Sequence, residues 1–181
     1  MKTYIALLRG INVSGQKKIR MADLKAHLEE LGHMGIQTYI QSGNIIFKST
    51  GGTPVQLAQK IQQKLHDKYR FDVPTLVLFP QELLRIIHNN PYAMEQGTIT
   101  DRLYVTFLFN TPRADLSRKL SEQKKHNEHF VHDEKIIFLH YPDGYGKAVM
   151  NNNAFEKILQ VEATTRNWKT VNKLCEMTKD G

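Results

Sequence analysis

The sequence predicts an α+β protein of two ferredoxin-like halves, βαββαβ followed by βαββα and a terminal helix. Three observations predict it. Short runs rich in β-branched, Leu and aromatic residues alternate with amphipathic stretches. Ser42-Gly43 stands between two of those runs at the spacing of a tight hairpin. From Leu103 the order of elements begins again. A split βαβ of this order is the ferredoxin-like unit.

The first strand is expected at residues 3–8. A helix follows, in which Met21, Leu24, Leu28 and Leu31 share one stripe and Gly32 stands just past the end as a cap. Runs 36–40 and 45–48 flank the hairpin. Thr53 at the N-cap and Pro54 in the first turn open a second helix, with Ala58, Ile61 and Leu65 on one face. A fourth strand spans 73–79. Leu83, Leu84, Ile86 and Ile87 then form a short helix that Asn89-Asn90-Pro91 ends. The predicted domains are 1–79 and 101–181, joined by a connector at 80–100.

In the second half, a strand over 103–109 leads to a Pro112-led helix carrying Leu116 and Leu120. Two short strands at 130–132 and 135–139 come next, then a helix with Phe155, Ile158 and Leu159. A final helix bearing Trp168, Val171, Leu174 and Cys175 takes the place of a fourth strand. In the first half we expect the first and third strands to be parallel neighbours. That orientation would set residues 9–20 beside residues 49–53.

With 181 residues, 40% hydrophobic and 24% charged, the chain has the composition of a globular protein. Cys175 is the only cysteine, so no intramolecular disulfide can form and a reducing cytoplasm is the expected compartment. The first apolar run, residues 4–8, is too short for a signal-peptide core, and no run approaches the roughly 18 apolar residues of a membrane span. The net charge of +7 is concentrated in residues 1–90, where 12 Lys+Arg face 6 Asp+Glu; residues 91–181 carry 13 against 12. A basic balance raises the expectation of phosphate-bearing partners, including nucleotides and nucleic acid.

The sharpest functional signal is the segment from Arg9 to Arg20. It leaves a strand, enters a helix, and carries Arg9, Lys17, Lys18 and Arg20 with no acid before Asp23. Gly10 and Gly15 let backbone N–H groups turn inward, Asn12 adds a polar amide, and a helix N-terminus presents its positive dipole end. A Walker loop would need Gly-Lys-Ser/Thr, and Gly15 is followed instead by Gln16-Lys17-Lys18. Arg166 and Asn167 are a second candidate. With Thr164 or Thr165 as N-cap, Arg166 would oppose the helix dipole in the first turn, and an anion there would reverse the sign of that interaction.

The remaining candidates read as structural. Gly144-Tyr145-Gly146-Lys147 follows Pro142-Asp143 and is primarily turn chemistry. His126, His129 and His132 are spaced by three, but Phe130-Val131 argues for a strand there, so no metal site is expected. Cys175 lies on a packing stripe, and the hairpin accounts for Ser42 and Asn44. An RNA-recognition sheet would need alternating aromatics on its central strands, and Tyr4 and Phe47 lack the surrounding signature. No Ser/His/Asp spacing or nucleophile elbow is present.

Residues 4–13 (YIALLRGINV), 38–44 (TYIQSGN) and 163–168 (ATTRNW) stand in the order seen in the bacterial family called domain of unknown function 1697, which the chain resembles. The resemblance implies the tandem ferredoxin-like layout and no assigned reaction. Ser14 stands where that family usually shows a second glycine before Gly15, and Ala148 where a serine is common. The function expected is binding of an anionic, phosphate-bearing ligand at Arg9, Gly10, Asn12, Gly15, Lys17, Lys18 and Arg20, with Arg166 and Asn167 as further contacts and no cofactor. The rivals are an enzyme acting on a small phosphorylated or carboxylated metabolite, and an interaction module whose sheet edges pair with another chain.

Overall fold

The computed structural model describes residues 1–95, 97–123 and 127–179. It is a mixed α/β protein with two four-stranded antiparallel sheets and six helices among the described residues. The chain divides into two compact units, residues 1–85 with 173–181, and residues 86–172.

The first unit runs β1 (Lys2–Leu8), α1 (Met21–Glu30), β2 (Met34–Tyr39), β3 (Asn44–Ser49), α2 (Pro54–Tyr69) and β4 (Thr75–Leu78). Its sheet order is β2-β3-β1-β4. β1 and β3 are neighbours as expected, yet they are antiparallel, with Lys2 opposite Ser49 and Leu7 opposite Asn44. The expectation of a parallel pair is therefore corrected. A βα crossover returns the chain parallel to β1 only at β2, and the hairpin reverses β3 before it slots between them. Thr53 caps α2 in a reciprocal box with Gln56: its hydroxyl accepts from the Gln56 N–H, and the Gln56 side chain accepts from the Thr53 N–H. Tyr4, Ala6 and Leu8 pack with Leu24, Leu28, Ile61 and Leu65 in the core of this unit. Ile5 and Leu7, on the other face of β1, are also fully buried.

The hairpin turn comes within van der Waals limits of β1. A Cβ on Gly43, whose φ is +74°, would lie 2.6 Å from the Leu8 Cβ, so glycine is required for both conformation and space. The Leu8 N–H donates to the Gly43 carbonyl at 2.8 Å.

α3 (Pro80–His88) connects to the second unit, which runs β5 (Leu103–Leu108), α4 (Ala114–Ser121), β6 (His129–Asp133), β7 (Ile136–His140), α5 (Asn152–Leu159), β8 (Ala163–Asn167) and the start of α6 (Trp168–Met177), whose residues from 173 onward belong to the first unit. The sheet order is β6-β7-β5-β8. A fourth strand is therefore present, where the sequence led us to expect only the terminal helix. Residues 163–167 lack apolar alternation because their polar side chains are satisfied within the fold. Thr106 and Thr165 share a hydroxyl hydrogen bond of 2.8 Å, and the Thr165 hydroxyl donates to Asn152 Oδ1 at 3.0 Å. Among the described residues no helix is long and apolar enough to cross a membrane.

Candidate functional site

The segment between β1 and α1 is a folded structure. Asn12 pins it: its Oδ1 accepts from the Ile19 N–H at 2.9 Å, and its Nδ2 donates to the carbonyls of Ile19 (2.9 Å) and Gln41 (2.8 Å). Between these anchors a small turn closes, with the Asn12 N–H on the Lys17 carbonyl and the Gln16 N–H on the Val13 carbonyl. The turn takes Ser14 to φ 49° and Gly15 to φ 76°, the left-handed region, which explains why glycines are favoured along it. Ile11 and Ile19 are buried and anchor both ends in the core.

Because β1 and β3 are antiparallel, this segment lies at the hairpin end of the sheet. It neighbours Gln41 and Gly43, and the Arg9 N–H donates to the Pro74 carbonyl. Residues 49–53 sit at the opposite end, where the Tyr4 hydroxyl donates to the Gly52 carbonyl. The expected meeting of residues 9–20 with 49–53 therefore does not occur.

The cations divide by role. The Lys17 ammonium donates to the Asp72 carbonyl at 2.6 Å and sits 5.9 Å over the Phe71 ring. Arg20 occupies the N-cap position of α1 without a side-chain cap bond and makes a two-pronged pair with Asp23 at 2.9 and 3.1 Å. The hydrogen bond to Asp23 and its charge hold the Arg20 guanidinium above its ordinary range. Arg9 is half-buried, and Lys18 is exposed. Asn12, Gly15, Lys18 and Arg20 line one groove of about 540 Å³, together with Ile19, Met21, Asp23 and Gln41. Lys18 and Arg20 against Asp23 leave the groove one net positive charge. The sequence reading missed Gln41 and Asp23 as groove residues. Asp23 was legible as an acid three positions beyond Arg20; Gln41 comes from the hairpin and had no local signal.

Arg166 and Asn167 lie in the second unit, on β8, so Arg166 is not in a helical first turn and the dipole argument for an anion there fails. Its guanidinium is buried and donates to Thr164 Oγ1 (2.7 Å) and the Thr165 carbonyl (2.9 Å). Burial pushes its pKa down to about 10. Asn167 supplies the cap for α6 instead of Thr164 or Thr165, its Oδ1 accepting from the Thr170 N–H at 2.8 Å.

Tyr4 and Phe47 are buried and stacked with ring centroids 5.6 Å apart, so they offer no platform for bases. His129 and His132 fall on β6, three positions apart and hence on opposite sides of the sheet; His126 lies outside the described residues. Among the described residues no group of three or more His, Cys, Asp or Glu side chains is placed to hold a metal ion. Gly144, at φ 86°, forms a turn closed by its N–H on the Tyr141 carbonyl. Cys175 is buried on α6.

A solved structure of a conserved bacterial protein from Streptococcus pneumoniae is similar to this chain, at 26% identity and a TM-score of 0.76 over 99% of each chain. No curated protein matches the sequence. Residues 1–138 match the family described as "Protein of unknown function (DUF1697)", and the chain belongs to that family.

Proposed function

We propose that the chain binds a phosphate-bearing anion in the groove between the residue 9–20 segment and the start of α1. The observation that carries this reading is Lys18: an exposed ammonium on a segment pinned by Asn12, lining a groove that includes the first turn of a helix no side chain caps. Lys18 supplies charge, the first amides of α1 supply donors, and Arg20 exchanges part of its pairing with Asp23 for the ligand. Arg9 and Lys17 add to the local field. The strand order of the two sheets, each with helices packed in its core, supports reading each half as ferredoxin-like. The single cysteine supports a cytoplasmic setting.

Titration calorimetry with inorganic phosphate, mononucleotides, sugar phosphates and short single-stranded RNA and DNA, at low and moderate salt, tests the proposal. Binding by at least one of them, lost in K17A/K18A/R20A with the circular dichroism spectrum unchanged, is the expected result. A steep fall in affinity with salt selects nucleic acid over a small ligand. Absence of binding by every phosphate compound at low salt, or equal binding by the triple variant, overturns it.

A further inference from the structure

Among the described residues the two sheets leave four edge strands, and they differ. β4 is four residues long and mostly buried, β8 buries Ala163, Thr164 and Arg166, and β2 is broken by a register shift between Met34 and Gln37. A bulge of that kind protects an edge from pairing. In β6 no residue is buried: His129, Val131 and Asp133 are exposed, and Phe130 and His132 half-buried. Val131, 42% exposed, is the apolar residue on its open side.

The sequence of β6 is self-complementary about Val131. When two copies of the strand are laid antiparallel with Val131 opposite Val131, His129 of each copy faces Asp133 of the other. The hairpin register favours this alignment. Asp133 stands opposite Ile136 across a two-residue turn, so the odd positions bond to β7 and Phe130 and His132 turn their N–H and C=O groups to the open edge. The three facing pairs are then of the closely spaced type, in which side chains interact most directly. The apolar pair lies at the dyad, and two imidazole–carboxylate pairs flank it.

We infer that β6 pairs with β6 of a second copy of this chain, joining two four-stranded sheets across a twofold axis into one of eight strands. This rests on edge geometry alone and stands apart from the anion groove.

Sedimentation velocity over a range of protein concentrations, with a charge swap across the dyad, tests it. Wild-type protein is expected to show reversible dimerisation. H129D sets Asp against Asp and D133K sets Lys against His, so each single variant is expected to weaken dimerisation about tenfold or more. The double variant H129D/D133K sets Asp against Lys and is expected to recover it. Both positions of this cycle are on the surface, and circular dichroism verifies that each variant is folded. A wild-type chain that stays monomeric at every concentration, or single variants that dimerise like wild type, overturns the inference.

Discussion

The two sheets share a strand order, and their central strands are tied off in the same way. At the end of β1, Leu8 donates to the β2–β3 turn at Gly43 and Arg9 to Pro74 just before β4; at the end of β5, Leu108 donates to the β6–β7 turn at Lys135 and Phe109 to Glu162 just before β8. Even the next helices start alike. Arg20 and Arg113 both stand at an N-cap, neither caps with its side chain, and each pairs with an aspartate in the first turn, Asp23 or Asp115. What repeats in two places with different surroundings is architecture. The Arg20–Asp23 pair is therefore a helix-start device shared by both halves, and the feature without a counterpart is the longer segment itself. Residues 9–20 connect β1 to α1, whereas residues 109–113 connect β5 to α4 with no Asn12 staple and no lysine. The other contrast is chemical: β4 reads Thr-Leu-Val-Leu, and β8 reads Ala-Thr-Thr-Arg-Asn.

Four substitutions break or sharpen this comparison. The largest effect is expected for Gly43→Ala, which forces a Cβ against Leu8 in a left-handed turn and is expected to cost about 3 kcal/mol. Urea denaturation measures it, and a loss below about 1 kcal/mol would show that the turn relaxes freely. Asn12→Ala removes the hydrogen bonds at Ile19 and Gln41 and is expected to cost about 2–3 kcal/mol. Because the second half has no such staple, an effect near zero would remove the distinction between the two connections.

Thr165→Val tests the polar fourth strand. It keeps the shape but strips the partner from the buried Thr106 hydroxyl and from Asn152, and a loss of about 1–3 kcal/mol is expected by the same denaturation assay. Equal or greater stability would mean that β8 tolerates an apolar residue as β4 does.

The smallest effect at neutral pH belongs to His33, which is buried against Phe47 with neither ring nitrogen hydrogen-bonded among the described residues. Burial, with a contribution from Lys60, lowers its pKa below the ordinary 6.5. The unfolded chain thus binds the proton more readily than the folded one. Stability is full above pH 6.5 and declines as pH falls through the lowered value. His33→Phe is expected to flatten that part of the stability–pH curve, read from denaturation midpoints between neutral and mildly acidic pH. An unchanged curve would assign the acid sensitivity elsewhere.

Local chemistry in the sequence determined where most elements begin and end. The Leu24–Leu28 stripe, the Thr53-Pro54 start of α2 and the Ser42-Gly43 turn are each written in a pattern a few residues long, where periodicity and backbone freedom act directly. The basic residues of the candidate groove were equally legible, since their charge is carried in the sequence whatever the fold. Tertiary structure alone decided the rest. Residues 163–167 become a strand because β5 offers a ladder and Thr106 and Asn152 satisfy the polar side chains, and no local pattern encodes partners so distant along the chain. The antiparallel setting of β1 against β3 turned the residue 9–20 segment toward Gln41 and away from residues 49–53. The reach of Lys17 to the Asp72 carbonyl and the meeting of Lys18 with Gln41 in one groove followed from strand order and direction, which fix the loops that share an end of the sheet.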